Sequence, residues 1–356
     1  MANRSEPQDP GEVAIVLVNW NGWRDSIDCI RSCLALGHRA RRIVLCDNDS
    51  ADGSADIIAR WAAGALNVPV ADDCPLPLDP QARPASFATL DRAAAEAGDD
   101  GIGAELIIVQ TGGNLGFAGG NNVGMRWALA RGCSHVWLLN NDTVVPADSL
   151  TRLLSASCAA KAGLTGGMLA NYEHPDRVQA FAGAMSVSTF TSRHLGIGER
   201  LPLPEPARAI IDRHPLLAGE EYYPVGASIL ASAGFLRDVG LMNDEYFLYY
   251  EESDWVLRNA GRWPVVLEPE SIAYHRHGAS AGTSAEGTSV GSVAFLYRSR
   301  LRAAARFAPD RLPAVRRAIM WEAARALARG RTAKSRAAWR ALRGKVAVPV
   351  SARAAP

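Results

Sequence analysis

Cysteine is scarce in this chain, and none of it stands in a spacing that holds a metal. The six cysteines are scattered along 356 residues without a C-x-x-C pair. This pattern excludes a zinc ribbon and a disulfide framework, and free thiols are typical of a reducing compartment.

Long apolar runs are absent as well. No run approaches about 18 consecutive apolar residues, the length of a transmembrane helix. The first residues, MANRSEPQDPGE, lack the apolar core of a signal peptide. We therefore expect a cytoplasmic protein whose residues 1–11 are disordered.

The chain also lacks an overall excess of one charge, because 38 Lys and Arg stand against 37 Asp and Glu, and this balance excludes a general attraction to nucleic acid. The distribution is uneven. Residues 298–356 carry sixteen basic residues and two acids, net +14, which leaves the rest at net −13. Residues 312–345 space apolar side chains helically among arginines, which predicts amphipathic helices. These helices either form a solvated face or attach peripherally to an anionic membrane surface.

Polar clusters follow three apolar segments that are typical of buried strands. The segments VAIVLV, RIVLC and VWLL end at Asn19, at Asp47-Asn48-Asp49 and at Asn140-Asn141-Asp142. Each cluster alone is typical of a turn, since Asn and Asp bond their own backbone. Strand and helix patterns alternate, however, which predicts a mostly parallel sheet with helices on both faces. Ligands bind at the carboxyl ends of such strands, so three equivalent clusters predict one shared crevice.

A glycine-rich stretch, NLGFAGGNN at 114–122, precedes a predicted helix at 123–131. Its glycines allow close backbone approach, and a helix N-terminus favours an anion. The stretch lacks the lysine of a P-loop and the G-x-G-x-x-G spacing, so it is a weak signal of phosphate binding. Residues 69–104 break the alternation and predict a surface insertion, with a helical part around 87–97.

Two further groups of ionisable side chains stand out. Glu251, Glu252 and Asp254 lie among aromatic residues in YYEESDW. A carboxylate held against rings has a raised pKa, in the working range of a general base, whereas the plain alternative is a solvated acidic helix start. His275 and His277 end another short strand, where a structural role and a metal or phosphate role are both open.

Taken in order, seven stretches resemble the family 2 inverting glycosyltransferases of the GT-A fold, and especially their bacterial rhamnosyltransferase-like branch. They span residues 13 to about 310 and read VAIVLVNWNG, VLCDNDSADGS, NLGFAGGNNVG, WLLNNDTVV, VGASILASAGFLRDVGLMNDEYFLYYEESDWVLRNAG, YHRHGAS and FLYRSRLRAAARFAP. The resemblance implies an α/β fold with a doubly wound mixed sheet flanked by helices. It implies a nucleotide-sugar-binding half at 12–150, an acceptor-binding catalytic half at 151–295 and a basic helical extension at 296–356.

The same resemblance implies catalytic residues. Glu252 takes the place of the general base, although that family has Asp there, and Glu251 precedes it. Because a Glu side chain is one methylene longer than Asp, Asp254 is the rival base.

The resemblance further implies a metal and a donor site. Asp142 is the main protein ligand of Mg²⁺ or Mn²⁺, with His275 or its rival His277 as a further ligand, and Arg276 is a neighbour of the diphosphate. The implied nucleotide-sugar-binding residues are Asn19, Asp47, Asn48, Asn114, Gly116, Gly119, Asn122, Asn140, Asn141 and Arg258.

The implied activity is inverting sugar transfer to a hydroxyl of a glycan or lipid-linked glycan in bacterial surface polysaccharide synthesis. The expected donor is dTDP-L-rhamnose, with UDP-hexose or UDP-galactofuranose next. Two alternatives remain open. A sugar-1-phosphate nucleotidyltransferase opens with a glycine-rich, Arg-containing loop where this chain has NWNGW. A non-catalytic nucleotide-sugar-binding subunit fits the departures from the family at Asn140 and Glu252.

Overall fold

The computed structural model describes most of the chain, namely residues 11–276, 283–284, 287–288 and 290–346. The expectations for residues 1–10 and for His277 therefore fall outside the described residues. No helix within the described ranges is long and apolar enough to span a bilayer.

The strands are short segments of mostly apolar residues. In chain order they are β1 (Val13–Asn19), β2 (Arg41–Asp47), β3 (Phe87–Asp91), β4 (Leu106–Gln110), β5 (His135–Leu139), β6 (Thr143–Val144), β7 (Leu164–Asn171), β8 (Val178–Ala180), β9 (Ala182–Ser186), β10 (Ser192–Leu195), β11 (Glu220–Tyr223), β12 (Ser228–Ser232), β13 (Val265–His275), β14 (Thr283–Ser284) and β15 (Gly287–Thr288).

The helices alternate with these strands in the first half and gather at the end of the chain. They are α1 (Trp23–Leu34), α2 (Ser54–Ala62), α3 (Arg92–Glu96), α4 (Gly116–Ala130), α5 (Ser149–Ala160), α6 (Ala209–Arg213), α7 (Ala233–Asp238), α8 (Glu251–Asn259), α9 (Val290–Phe307), α10 (Leu312–Ala328) and α11 (Thr332–Leu342).

One ten-stranded mixed sheet organises the molecule. Its order is β3-β4-β2-β1-β5-β12-β7-β13-β6, and β8 pairs with β7. Strands β3, β4, β2, β1 and β5 run parallel, whereas β12 is antiparallel to both β5 and β7. A separate antiparallel sheet has the order β10-β9-β11. The parallel half therefore brings the carboxyl ends of β1, β2 and β5 to one edge.

The main sheet is buried on both faces because successive side chains of a strand point to opposite sides. Val13, Ile15 and Leu17 of β1 pack with one set of helices that includes α1 and α2. Ala14 and Val16 pack on the other face, against α4. The continuous apolar strands of the sequence follow from this double burial.

The C-terminal helices form a small bundle with its own apolar interior. Val315 and Ile319 of α10 and Leu342 of α11 are buried there, together with Tyr246 and Tyr250 from the main body. The basic segment is thus helical, as predicted, and it packs against the segment that contains Tyr246 and Tyr250.

Two local predictions were only partly right, although α3 (Arg92–Glu96) does supply a helix in the second half of 87–97. The insertion is not helical at 87–91, because Phe87–Asp91 pairs in parallel with β4 as the edge strand β3. The helix predicted at 123–131 begins at Gly116, so most of the glycine-rich stretch forms the first turns of α4.

Candidate active site

A cavity of about 910 Å³ opens at the carboxyl ends of β1, β2 and β5. Eight of the predicted site residues with polar or charged side chains line it together. These are Asn48, Asn114, Asn140, Asn141, Asp142, Glu251, Glu252 and His275, and Gly116 lines it as well.

Below the cavity, polar side chains from three strand ends join in one network. Asn19 donates from Nδ2 to Asp47 Oδ1 at 2.6 Å and to Ser50 Oγ at 3.0 Å. Its Oδ1 accepts from Ser26 Oγ at 2.8 Å and from Asn141 Nδ2 at 3.2 Å. Asn19 and Asp47 are buried and are not among the lining residues. They hold the three strand ends together from beneath, since every partner restricts the rotamer of the next.

The start of α4 forms one wall of the cavity. Asn48 donates to the backbone oxygen of Gly116 at 2.9 Å, and Asn114 Oδ1 accepts from the Gly116 amide at 3.0 Å. Gly116 has φ +72, and a Cβ there would lie 2.3 Å from the backbone oxygen of Phe247. Glycine is therefore required at this position, because the wall touches the loop that precedes α8.

Two predicted site residues of the glycine-rich stretch, Gly119 and Asn122, do not line the cavity. Asn122 is buried and donates to the backbone oxygen of Met242 at 2.9 Å, and Gly119 lies against Leu115. Asn121, which the sequence analysis missed, lines the cavity instead. The early start of α4 explains the exchange, since consecutive helical residues point about 100° apart.

Asp142 and His275 face one another across the cavity floor. His275 Nε2 lies 3.3 Å from Asp142 Oδ1 and 3.2 Å from Asn140 Nδ2. His275 Nδ1–H donates to Gln179 Oε1 at 2.6 Å, because an amide oxygen can only accept. The Nε2 lone pair of the neutral ring then accepts from Asn140 Nδ2 and lies beside Asp142 Oδ1. Gln179 was missed because nothing in its own sequence neighbourhood marks it.

This pair fits a hard divalent cation. Asp142 is 5% exposed, and its Oδ1 makes no hydrogen bond within the described residues. Two acceptors that face each other at 3.3 Å repel unless a proton or a cation lies between them. Among the described residues, no three or more His, Cys, Asp and Glu side chains are placed so that they could hold one metal ion together. The described residues would thus offer a cation two ligands, and further oxygens would have to come from a bound phosphate or water, as is usual for Mg²⁺.

The carboxylates of the first turn of α8, Glu251 and Glu252, line the same cavity. Glu252 Oε1 accepts from the backbone amide of Gly226 at 3.0 Å, and a Cβ at Gly226 would lie 2.3 Å from the same oxygen. Burial raises the pKa of Glu252 to about 7. Glu251 is 2% exposed, and burial, followed by the charge of Glu252, raises its pKa well above the usual range. Glu252 is the member of the pair whose pKa suits proton transfer at neutral pH.

The turn before α8 is conformationally unusual. Phe247, Tyr249 and Tyr250 have φ of 64, 67 and 77, in the left-handed region that side chains rarely adopt. Such residues cost about 1–3 kcal/mol each and cluster at functional sites. The aromatic run therefore serves to place the first turn of α8, where the helix dipole favours the carboxylates.

Asp254 and Arg258 lie away from the cavity and pair with each other. Asp254 is fully buried, and it accepts from Tyr246 Oη at 3.1 Å as well as from the Arg258 guanidinium. Arg258 also donates to the backbone oxygens of Val239 and Leu241. Neither Asp254 nor Arg258 lines the cavity. The structure therefore does not place Asp254 where a base would act or Arg258 where it would bind a nucleotide-sugar donor, because both side chains bond to each other and to buried neighbours.

We expect Arg258→Ala to lower the free energy of unfolding by about 3 kcal/mol, because the buried Asp254 loses its main cation. Urea titration measures this change. The matched control is Arg262→Ala, four residues further along, whose ion pair with Asp238 is exposed. This control costs about 1 kcal/mol or less. Equal losses in both variants would contradict the assignment.

Arg276 links Asp73 of the insertion to the segment that carries Asp142. Its guanidinium donates to both carboxylate oxygens of Asp73 at 2.7 and 2.9 Å and lies over the ring of Tyr172. Its Nε lies 3.4 Å from Asp25, and burial raises the Asp25 pKa to about 6. The Arg276 amide donates to the backbone oxygen of Asp142 at 2.9 Å. Arg276 is therefore occupied by two carboxylates and supports the segment that carries Asp142.

Comparison with known sequences gives a short match. No protein-family model matches the chain. Uncharacterized proteins of Mycobacterium tuberculosis and Mycobacterium bovis are 45% identical over 67 residues, which is 19% of this chain and 25% of theirs. The match thus spans about a quarter of the length of these curated relatives.

Comparison with solved structures gives much longer matches at low identity. GalNAc-T7 with UDP, GalNAc and Mn²⁺ has a TM-score of 0.52 at 12% identity over 84% of this chain and 48% of that one. A Pyrobaculum calidifontis mannosyltransferase with GDP-Man and Mn²⁺ scores 0.49 at 12% identity over 96% and 90%. Staphylococcus aureus TarS with UDP-GlcNAc scores 0.47 at 11% identity over 83% and 67%. The structural neighbours are glycosyltransferases, and the mixed sheet flanked by helices confirms the predicted α/β fold of the GT-A type.

Proposed function

We propose that this protein is an inverting glycosyltransferase that moves a sugar from a nucleotide-diphosphate donor to a hydroxyl of a glycan or lipid-linked glycan. One observation carries the proposal. Glu252, whose pKa is raised to about 7, lines the same cavity as Asp142 and His275, two side chains suited to bind a cation together. The reaction requires a base that takes the proton of the acceptor hydroxyl and a site that stabilises the negative charge on the leaving diphosphate.

Proton transfer falls to Glu252 in this proposal. The acceptor hydroxyl gives its proton to Glu252 Oε as its oxygen bonds to the anomeric carbon. The bond from that carbon to the diphosphate oxygen breaks at the same time, and the nucleoside diphosphate leaves with the electron pair. The Gly226 amide donates to Glu252 Oε1, so the carboxylate is already oriented before the acceptor hydroxyl binds. One base opposite the leaving group gives inversion in a single displacement.

Asp142 and His275 would hold the divalent ion, Mg²⁺ or Mn²⁺. When bound, such an ion offsets the negative charge that develops on the diphosphate. Gln179 holds the His275 ring, and the Arg276 amide holds the Asp142 backbone, so both side chains that would bind the ion are oriented by the chain itself. Asn140, in the place of a first acid, adds no charge, so the remaining ligands would have to be supplied by the donor's phosphates.

The base and ribose of the donor would lie between β1, β2 and the start of α4. Asn48, Asn114 and Asn121 line that part of the cavity with amides, and Asn19 and Asp47 support it from below. The sequence resemblance supports dTDP-L-rhamnose as the first donor to test, and a UDP-sugar as the second. UDP-GlcNAc and GDP-Man, found in the solved glycosyltransferases above, complete the panel.

The test is a donor screen with the full chain, Mn²⁺ and lipid-linked or free glycan acceptors. We expect one nucleotide sugar to release nucleoside diphosphate at more than about tenfold the rate without acceptor. Release of pyrophosphate from a nucleoside triphosphate and a sugar phosphate would instead identify a nucleotidyltransferase. Tight donor binding without any release across the panel would identify a non-catalytic subunit.

A further inference from the structure

The two C-terminal helices present an uncompensated positive surface. Ten basic side chains lie on or beside α10 and α11, and all are exposed: Arg316, Arg317, Arg325, Arg329, Arg331, Lys334, Arg336, Arg340, Arg343 and Lys345. None of the ten forms an ion pair with a carboxylate among the described residues. The single acid of residues 312–346, Glu322, is already bound by Arg300 at 2.8 Å and by Tyr297 Oη at 3.1 Å.

The same helices expose large apolar side chains beside these cations. Trp321 is 70% exposed, Leu327 58%, Met320 45% and Trp339 36%. Their apolar neighbours Ile319 and Leu342 point inward and are buried. The bundle therefore has its own buried apolar interior, and the exposed apolar side chains are additional to it.

Helical spacing places part of this set on one outer face. Trp321 follows Arg317 by four residues and precedes Ala328 by seven, so the three lie on one side of α10. Arg325 lies beside them, one turn after Trp321. Met320 and Leu327 flank the same side, seven residues apart. We call the exposed Arg317, Met320, Trp321, Arg325 and Leu327 the outer α10 face.

We propose that the outer α10 face, with the basic residues of α11, docks on the surface of an anionic phospholipid bilayer. Two properties favour this partner over a soluble polyanion. Cations attract the lipid headgroups, and exposed Trp, Leu and Met side chains gain by entering the interface between headgroups and acyl chains. A nucleic acid would need the cations but would leave aliphatic side chains in water.

The rest of the chain sets the orientation on such a surface. Residues 1–297 carry 22 basic and 35 acidic residues, so the body is repelled by the same lipids that attract the bundle. The protein therefore meets an anionic bilayer through α10 and α11. This inference stands on the bundle alone and does not depend on the proposed function.

The test is co-sedimentation of the full chain with vesicles of phosphatidylcholine that contain about 30 mol% phosphatidylglycerol, compared with pure phosphatidylcholine. We expect selective binding to the anionic vesicles and release by about 0.5 M NaCl. Arg317→Glu with Arg325→Glu should weaken binding by about 25-fold or more, at roughly fivefold per lost cation. Trp321→Ala should weaken it by about tenfold at unchanged net charge.

Matched variants on the body are the controls. Arg39→Glu with Arg60→Glu changes the net charge by the same amount at two exposed positions outside the bundle, and Ile102→Ala removes another exposed apolar side chain. Both should leave vesicle binding within about twofold. Equal binding to neutral vesicles, no vesicle binding, or an equal loss in the body variants would overturn the proposal. Binding of duplex DNA that is as tight as that of the anionic vesicles and insensitive to Trp321→Ala would overturn it too.

Discussion

Glu252→Gln lowers kcat by about 10³-fold and leaves the Kd of the donor within about threefold. The amide has nearly the shape of the carboxylate and keeps the contact with the Gly226 amide, but it cannot take a proton. Single-turnover release of nucleoside diphosphate measures the rate, and calorimetry with unreactive nucleoside diphosphate measures binding.

The matched control is Glu221→Gln, an exposed residue of β11. It makes the same chemical change outside the cavity and should leave kcat within about twofold. If Glu252→Gln retained normal turnover, the assignment of the base would be wrong, and the buried Glu251 would be the next residue to test.

The pH profile follows from the same carboxylate. Its pKa is raised to about 7 by burial, and only the deprotonated form accepts the acceptor proton. We therefore expect kcat to fall about tenfold for each pH unit below about 7 and to level off above it. Glu252→Gln should abolish this acid limb, whereas Glu221→Gln should preserve it.

Asp142→Ala lowers metal-dependent turnover by about 10³-fold, because the cavity loses its only buried carboxylate beside His275 among the described residues. Wild-type chain should bind Mn²⁺ weakly by itself and at least about tenfold more tightly with nucleoside diphosphate, since two protein ligands leave most of the shell to phosphate oxygens. Calorimetry of Mn²⁺ with and without nucleotide measures both. In the variant we expect the nucleotide-dependent gain to disappear.

Asp56→Ala, at an exposed position of α2, controls for the loss of a carboxylate elsewhere on the surface. Its Mn²⁺ binding and turnover should match wild type. Unchanged metal dependence in Asp142→Ala would exclude Asp142 as a ligand, and His275→Ala would then show whether the ring binds the ion without it.

The sequence predicted the parts of the site that depend on strand periodicity. Apolar strands followed by Asn19, by Asp47 and by Asn140-Asn141-Asp142 need only the rule that parallel strands end at one edge, and the structure joins them through hydrogen bonds. The resemblance supplied Glu252 and His275, and the cavity holds both.

The rest depended on contacts that no local pattern encodes. Asn121 and Asn122 are adjacent residues of the same type, so the sequence does not distinguish them. The residue at which α4 begins decides which of the two side chains faces the cavity. Asp254 stands as near to Glu252 in sequence as a base would, yet Arg258 four residues later takes it into a buried pair. Gln179 reaches His275 across 96 residues, so its role follows from the packing of β8 against β7.

The contact between Gly116 and Phe247 restricts how the ligand specificity of this cavity could be changed by exchanging segments of the chain. The Phe117 amide donates to the Phe247 backbone oxygen at 2.8 Å, and no side chain fits between the two segments at Gly116. The cavity wall at Gly116 and the turn that leads into α8 therefore form one rigid unit, although 130 residues separate Phe117 from Phe247 in the chain. A graft that exchanges the cavity lining has to bring residues 114–121 and 247–252 from the same parent. A graft of either piece alone would shift Glu252 relative to the start of α4.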